Sequence, residues 1–292
     1  MDRYAKGIAM NRKIERILIV FNKSKDKAEA IVSEMKEFFD DKCLNIMDVG
    51  ELEHSDSRLC ADLAFSIGGD GTVLTCCRAL SDCESTPIIA VNLGTFGYIT
   101  EVEADRWKET YIEFAEGRLD LSKRKMLSSY YRKPGQTEFT FFSDALNDIV
   151  ISGSGISKVL KLDMFINGCF GGAIRSDGVI VASPTGSTAY SMAAGGPVLD
   201  PYMDAMIINP ICPFSLSNRP IVVSGGSTVS FLVKNDQRTG ICLNADGQVL
   251  MELGEGDAVK IVSEKKALFV NPGRRSFFEV VREKLRWDGG IC

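Results

Sequence analysis

Ser66-Ile67-Gly68-Gly69-Asp70-Gly71-Thr72 is the stretch whose residue types most plainly do chemistry. An apolar run, Leu63 to Ile67, stops at three glycines set around one aspartate, and Thr72 to Leu80 then has a helical pattern. A strand, a glycine turn and a helix start build an anion site, because free N–H groups converge there and the helix dipole favours negative charge. Glycine lets a phosphate approach the backbone and tolerates positive φ. Gly68, Gly69, Gly71 and Thr72 are thus the expected phosphate loop. Asp70 is the anomaly: a carboxylate in a phosphate cradle repels its ligand unless it takes a proton or holds a metal. The same letters are compatible with a tight turn in which Asp70 caps the helix.

A second loop, Ser183-Pro184-Thr185-Gly186-Ser187-Thr188-Ala189-Tyr190-Ser191, places five Ser or Thr hydroxyls within nine residues, and Arg175-Ser176-Asp177-Gly178 precedes it. Such hydroxyls suit phosphate or ribose oxygens, or simply cap the loop. In Ala145-Leu146-Asn147-Asp148-Ile149 two polar side chains interrupt an apolar pattern. Asn147 could read an adenine or amide edge and Asp148 could chelate a ribose diol; an edge-strand polar pair is the plain alternative. Asn244-Ala245-Asp246-Gly247-Gln248 has the Asp-Gly pair of a hairpin turn.

These loops need elements to position them. Arg16 to Phe21, Leu63 to Ile67 and Pro87 to Asn92 are apolar runs of the kind buried on both faces of a parallel sheet, and helical patterns cover Lys25 to Phe39 and Asp105 to Glu116. Alternating strands and helices predict an α/β domain over 1–118. After Leu119 short β segments dominate: Tyr130-Tyr131, Phe139 to Phe142, Ile149 to Ile151, Lys161 to Ile166, Val179 to Ala182, Val229 to Val233, Ile241 to Leu243 and Val259 to Val262, with a helical signal near Ala189 to Ala194. This predicts a β-rich domain over 119–270, followed by a helical tail, Ser276 to Arg286, in the segment 271–292.

The chain's 292 residues, 45% hydrophobic and 25% charged, suit two globular domains, and the net charge of −5 argues against a broad nucleic-acid face. No apolar run reaches the roughly 20 residues of a membrane span, and a cytoplasmic protein is expected. Nine cysteines without C-x-x-C spacing are expected to be reduced core or surface residues. His54 is the only histidine and sits in a polar stretch, so a general base is expected to be a carboxylate. A Walker-A motif and a G-x-G-x-x-G helix opening are both absent.

Taken together, GGDGT at 68–72, NLGTFGYITE at 92–101, ND at 147–148, RSDGVIVASPTGSTAYSMAAGGP at 175–197 and PICPFSLSNRP at 210–220 resemble the NAD kinase family. GGDGT alone also occurs in phosphofructokinases and in diacylglycerol and sphingosine kinases; the 175–197 block is far more specific. The resemblance implies an α/β domain and a β-sandwich-like domain, with the last segment packing back on the first and the dinucleotide held between domains. It implies ATP or polyphosphate as donor, a divalent cation such as Mg2+, and a homodimer or homotetramer, with no nucleic acid or membrane as partner. Asp70 would be the catalytic base toward the ribose 2′-hydroxyl of NAD, beside Gly71. Phe96, Gly97 and Tyr98 would wall the adenine pocket, and Asn147 and Asp148 would hold the adenosine. Arg175, Asp177, Thr188, Ala189, Tyr190, Ser191, Met192, Ala193, Cys212, Asp246 and Gln248 would line the dinucleotide site, and Lys158 would stand near its phosphates. The chain departs from the family pattern at Asp148 (usually Glu), Phe214 (often His), Ala193 (usually Ser) and Ser176 (commonly Gly). The competing readings are a kinase for a lipid or sugar phosphate and a non-catalytic dinucleotide sensor.

Overall fold

The computed structural model describes residues 13–53, 59–94, 97–154, 159–273 and 276–286, so Phe96, Lys158 and His54 lie outside the described residues. The chain divides into two compact units, one running to Arg124 and resuming at Lys266, the other spanning Lys125–Lys265.

The first unit begins with β1 (Arg16–Phe21), α1 (Ala28–Phe38), β2 (Cys43–Asp48), α2 (Val49–Glu53), β3 (Leu63–Gly68), α3 (Asp70–Ala79), β4 (Pro87–Asn92), β5 (Val102–Glu103), α4 (Trp107–Ala115) and β6 (Asp120–Lys125). The second unit holds β7 (Leu127–Arg132), β8 (Thr140–Ala145), β9 (Asp148–Gly153), β10 (Leu160–Ile166), β11 (Cys169–Ser176), β12 (Gly178–Ala182), a 3₁₀ turn at Thr185–Thr188, α5 (Tyr190–Ala193), β13 (Ala205–Ile211), β14 (Ile221–Ser224), β15 (Val229–Val233), β16 (Ile241–Ala245), β17 (Val249–Leu253) and β18 (Ala258–Val262). The chain then returns to the first unit with β19 (Lys266–Asn271) and α6 (Phe277–Leu285). The units therefore part near 124 and 265, a few residues from the expected 118 and 270, because β6 and β19 are neighbours in the first sheet.

That sheet has the order β2-β1-β3-β4-β19-β6, with β5 also paired to β4. β3 and β4 are buried along their whole length, which is why they read as unbroken apolar runs. Ile17, Ile19, Phe65, Ile67, Ile89 and Val91 on one face join Val32 and Met35 of α1 and Trp107 of α4 in one core. Phe38, Phe39, Phe65, Trp107 and Tyr111 form an aromatic cluster within it, with Phe65 and Trp107 edge to face at 6.0 Å. α6 is started by a capping box between Ser276 and Glu279.

The second unit is a sandwich of two antiparallel six-stranded sheets, β11-β10-β15-β18-β7-β8 and β14-β13-β12-β9-β16-β17. Their facing sides share one core, including Ile149, Ile151, Val179, Val181, Met206 and Ile208 from one sheet and Leu162, Met164, Phe231, Val259 and Ile261 from the other. The intervening residues, Val150, Ile180, Ala182, Ala205 and Ile207, face the other way into a second cluster with Leu199. Period-two alternation thus gives the second sheet an outer face that is apolar where it meets Leu199 and polar at Asp148, Ser152 and Asn244.

One expectation about the cysteines fails. Cys60 and Cys83 are joined as a disulfide, with Cα atoms 5.6 Å apart. Spacing rules test only pairs near in sequence; this pair is 23 residues apart and is brought together by β3 and α3.

Candidate active site

In the first unit the glycine turn forms at the C-terminal end of β3. Gly69 is the extended N-cap of α3, and its carbonyl accepts from the N–H groups of Thr72 at 3.0 Å and Val73 at 3.3 Å. Gly68, Gly69 and Gly71 are all outside the left-handed region, so the turn does not use the positive φ that glycine tolerates. Packing explains Gly68: a Cβ there would lie 2.1 Å from Thr72 Oγ1.

Asp70 is not the cap. It is the first residue of α3, half-buried, and its carboxylate crosses to the segment after β4. Oδ2 accepts from Tyr98 N–H at 2.9 Å, and Oδ1 accepts from the N–H groups of Ile99 and Thr100, each at 3.2 Å, and from the Thr100 hydroxyl at 3.3 Å. Gly97 allows the approach, since a Cβ at that position would meet Asp70 Oδ1 at 2.0 Å and Thr100 Oγ1 at 2.6 Å. Asn92 closes the turn upstream by bonding both the N–H and the carbonyl of Gly94. A carboxylate has about four lone-pair directions. Among the described residues Oδ2 takes one donor, so it keeps an accepting direction for a ligand hydroxyl. The Tyr98 phenol is pushed above its ordinary value by burial and then by the Asp70 charge.

In the second unit Asn147, Asp148, Ala189, Tyr190 and Asp246 come together around a cavity of about 390 Å³, which Val150, Ser152, Asn244, Gly247 and Leu250 complete. Asp148, Val150 and Ser152 alternate along one face of β9, while Val150 pairs across to Asn244 of β16 and Asn244 to Leu250 of β17. Ser152 and Leu250 escaped the motif search, yet the i, i+2 spacing from Asp148 to Ser152 marks that face in the sequence. Asn147 Oδ1 is buried with no hydrogen-bond partner, an acceptor left for a ligand donor.

Asp246 sits in the hairpin turn joining β16 and β17, with left-handed φ at Asp246 (54°) and Gly247 (68°), the pattern that favours Asp-Gly. It lines the cavity and is also clasped by backbone donors: Oδ2 accepts from Leu146 N–H at 2.9 Å, and Oδ1 from Asn147 N–H at 2.8 Å and Asp148 N–H at 3.1 Å. The carboxylate holds the Asn147-Asp148 backbone. Asp148, buried beside it, has its carboxyl pushed up to about 7 by burial first and the Asp246 charge second. Gly186 seals the same loop, because a Cβ there would lie 2.1 Å from the Asn147 carbonyl oxygen.

Arg175, Asp177, Thr188, Ser191, Met192, Ala193, Cys212 and Gln248 do not line this cavity. The Thr188 hydroxyl is turned inward to the Thr185 carbonyl at 3.3 Å. Ser191 is fully buried, and Asn209 of β13 donates to its carbonyl at 2.9 Å. Arg175 lies on β11 with its guanidinium 4.9 Å from the Phe214 ring centroid, so the departure at 214 supplies a stacking partner. The departure at 176 is also accommodated: Ser176 is buried and donates to the Gly178 carbonyl at 2.7 Å. Cys212 is exposed, with φ of 44°.

The comparisons agree on one family. Residues 55–119 match the ATP-NAD kinase N-terminal domain and residues 146–271 the ATP-NAD kinase C-terminal domain. The NAD kinase of Treponema denticola is 37% identical over 281 residues, covering 94% of this chain and 98% of that protein. The NAD kinase of Koribacter versatilis is 42% identical over 226 residues, covering 77% and 78%. Among solved structures, yeast NADH kinase complexed with NADH superposes with a TM-score of 0.84 at 21% identity, covering 96% of this chain and 90% of that one, a likeness of fold. An NAD kinase from Archaeoglobus fulgidus in complex with ATP superposes with a TM-score of 0.72 at 25% identity, covering 93% and 98%.

Proposed function

We propose, for a chain that belongs to the NAD kinase family, that Asp70 is the general base of the reaction and that the Asn147-Asp148 cavity holds the adenosine half of NAD. An NAD kinase transfers a phosphoryl group to the 2′-hydroxyl of the adenosine ribose, and that hydroxyl must lose its proton as it attacks phosphorus. The observation that carries the assignment is the Asp70 carboxylate fixed at the glycine turn with accepting capacity left on Oδ2. General-base catalysis is worth roughly 10²–10⁴-fold, and positioning and charge neutralisation of the transferred group supply most of the rest. Asn147 Oδ1 suits an adenine amino group, Asp148 a ribose diol, and the half-exposed Tyr190 ring a stacking face. Phe96, Lys158, Arg175, Asp177 and Gln248 keep their expected roles toward the dinucleotide by resemblance.

ATP is the proposed donor, and the complex of the Archaeoglobus relative supports it. Among the described residues no group of three or more His, Cys, Asp or Glu side chains could hold a metal ion. Magnesium is proposed to enter with the donor, carried on the triphosphate as is usual for this ion. No described helix is long and apolar enough to cross a membrane. The homodimer or homotetramer is proposed as well, supported by the exposed Phe214, Leu216, Ile221 and Val222 of one stretch, and light scattering tests it.

The reaction itself is tested by incubating the purified protein with ATP, magnesium and NAD and measuring NADP. Multiple turnovers are expected. Turnover of a lipid or sugar-phosphate acceptor in place of NAD, or tight NAD binding without product, would overturn the proposal.

A further inference from the structure

We propose that Cys60 and Cys83 form a reversible thiol–disulfide exchange site that staples the two ends of the unit carrying Asp70. The pair encloses β3, the glycine turn and α3, so closing it ties together the chain segments on either side of that unit. The two ends are also held by bonds that need no sulfur. Thr86 Oγ1 donates to the Ala61 carbonyl at 2.7 Å, and Leu59 N–H donates to the Ala79 carbonyl at 3.0 Å. Cys83 is itself fixed between Leu80 and Thr86 by backbone bonds of 2.8 and 2.9 Å. Reduction therefore leaves the two thiols within reach of each other, and the bond can open and close without unfolding.

Access is built in. The sulfur pair lines a solvent-open cleft of about 390 Å³ with Lys13, Arg16, Asp62 and Thr86. Cys60 is exposed and Cys83 half-buried, which makes Cys60 the sulfur that an outside reagent meets first. The two cations at the cleft are paired, Arg16 with Asp62 at 3.0 Å and Lys13 with Glu15. The buried Cys76 and Cys77 of α3 are not candidates, and burial pushes the Cys76 thiol up to about 12.

The chemistry balances with glutathione disulfide as oxidant. The Cys60 thiolate attacks it, forms a mixed disulfide and releases one glutathione thiolate. The Cys83 thiolate then attacks the Cys60 sulfur and releases the second. Two protein thiols are oxidised, one glutathione disulfide is reduced to two glutathiones, and the two protons leave with them. A dithiol reverses the sequence.

The test needs no assumption about the kinase reaction. The full chain is poised in glutathione disulfide or in dithiothreitol, alkylated, and mapped by mass spectrometry, with thermal melting in parallel. The expected result is a Cys60–Cys83 cross-linked peptide after oxidation and loss of two alkylatable thiols relative to the reduced protein. A melting temperature about 5 °C higher is also expected, the scale for closing a loop of this length. Cys60→Ser and Cys83→Ser should each abolish both effects. Alkylated Cys60 and Cys83 in the oxidised protein, a persistent glutathione adduct on Cys60, or an unchanged melting shift in either variant would overturn the proposal. The mapping on the unmodified chain decides even if a variant fails to fold.

Discussion

Asp70 in the first unit and Asp246 in the second use their carboxylates in the same way, and the contrast between them separates chemistry from architecture. Each is clasped by the backbone N–H groups of three consecutive residues, Tyr98 to Thr100 for Asp70 and Leu146 to Asp148 for Asp246. Each clasp depends on a glycine with no room for a Cβ, Gly97 against Asp70 and Gly186 against the Asn147 backbone. The settings differ. Asp70 stands half-buried at the start of a helix behind a glycine turn, where negative charge is favoured and a phosphate can approach. Asp246 is buried in a hairpin turn and presses on a second carboxylate, Asp148. Both carboxylates order a loop, and the proposed function assigns the proton of the attacking hydroxyl to Asp70 alone.

Replacing each acid tests that difference. Asp70→Ala, which removes base and clasp together, should lower kcat by about 10²–10⁴-fold and speed amide exchange at Tyr98 to Thr100. Asp246→Ala should act on binding: KM for NAD rises about tenfold, the factor for roughly 1.4 kcal/mol, kcat changes little, and exchange quickens at Leu146 to Asp148. A kcat loss equal to that of Asp70→Ala would erase the distinction. Gly186→Ala should destabilise the second unit by about 1–3 kcal/mol, the usual cost of overpacking, read as a lower denaturant midpoint.

The smallest effect is in the pH profile. Asp148 stays protonated in the folded chain up to about 7, whereas in the unfolded chain it releases its proton near ~3.9. Its contribution to stability is thus fully present below about 4 and is lost as pH rises through about 7. Asp148→Asn should flatten this dependence and melt a few degrees above the parent at pH 8, with no such gain at pH 4. An equal gain at both pH values would contradict the assignment.

How much of this was legible in the letters depends on whether a feature is local. The buried strands Arg16–Phe21, Leu63–Gly68 and Pro87–Asn92 announce themselves because both faces are apolar. β13 hides because Asn209 and Pro210 interrupt it; its pairing to β14 stops at Ile208, before the proline that has no N–H to give. β11 hides because it is a glycine-bearing, largely exposed edge strand. Asp70 and Asp246 were both visible as unusual residues, but their partners lie about 30 and 100 positions away in sequence, so neither clasp could be read there. The same distance blindness concealed the Cys60–Cys83 pair. Composition left the hydroxyls of 183–191 open to either a ligand or loop capping, and Ser183, Ser187 and Thr188 donate to backbone carbonyls and build the loop itself.

The most direct test of the central claim uses Asp70→Asn, which keeps the shape of the side chain and removes its basicity. NAD affinity by calorimetry and the single-turnover rate of NADP formation are measured on the same preparation. The account predicts a Kd for NAD within about threefold of the parent and a rate lower by at least about 100-fold. A rate near that of the parent, or a loss of affinity as large as the loss of rate, would contradict Asp70 as the general base.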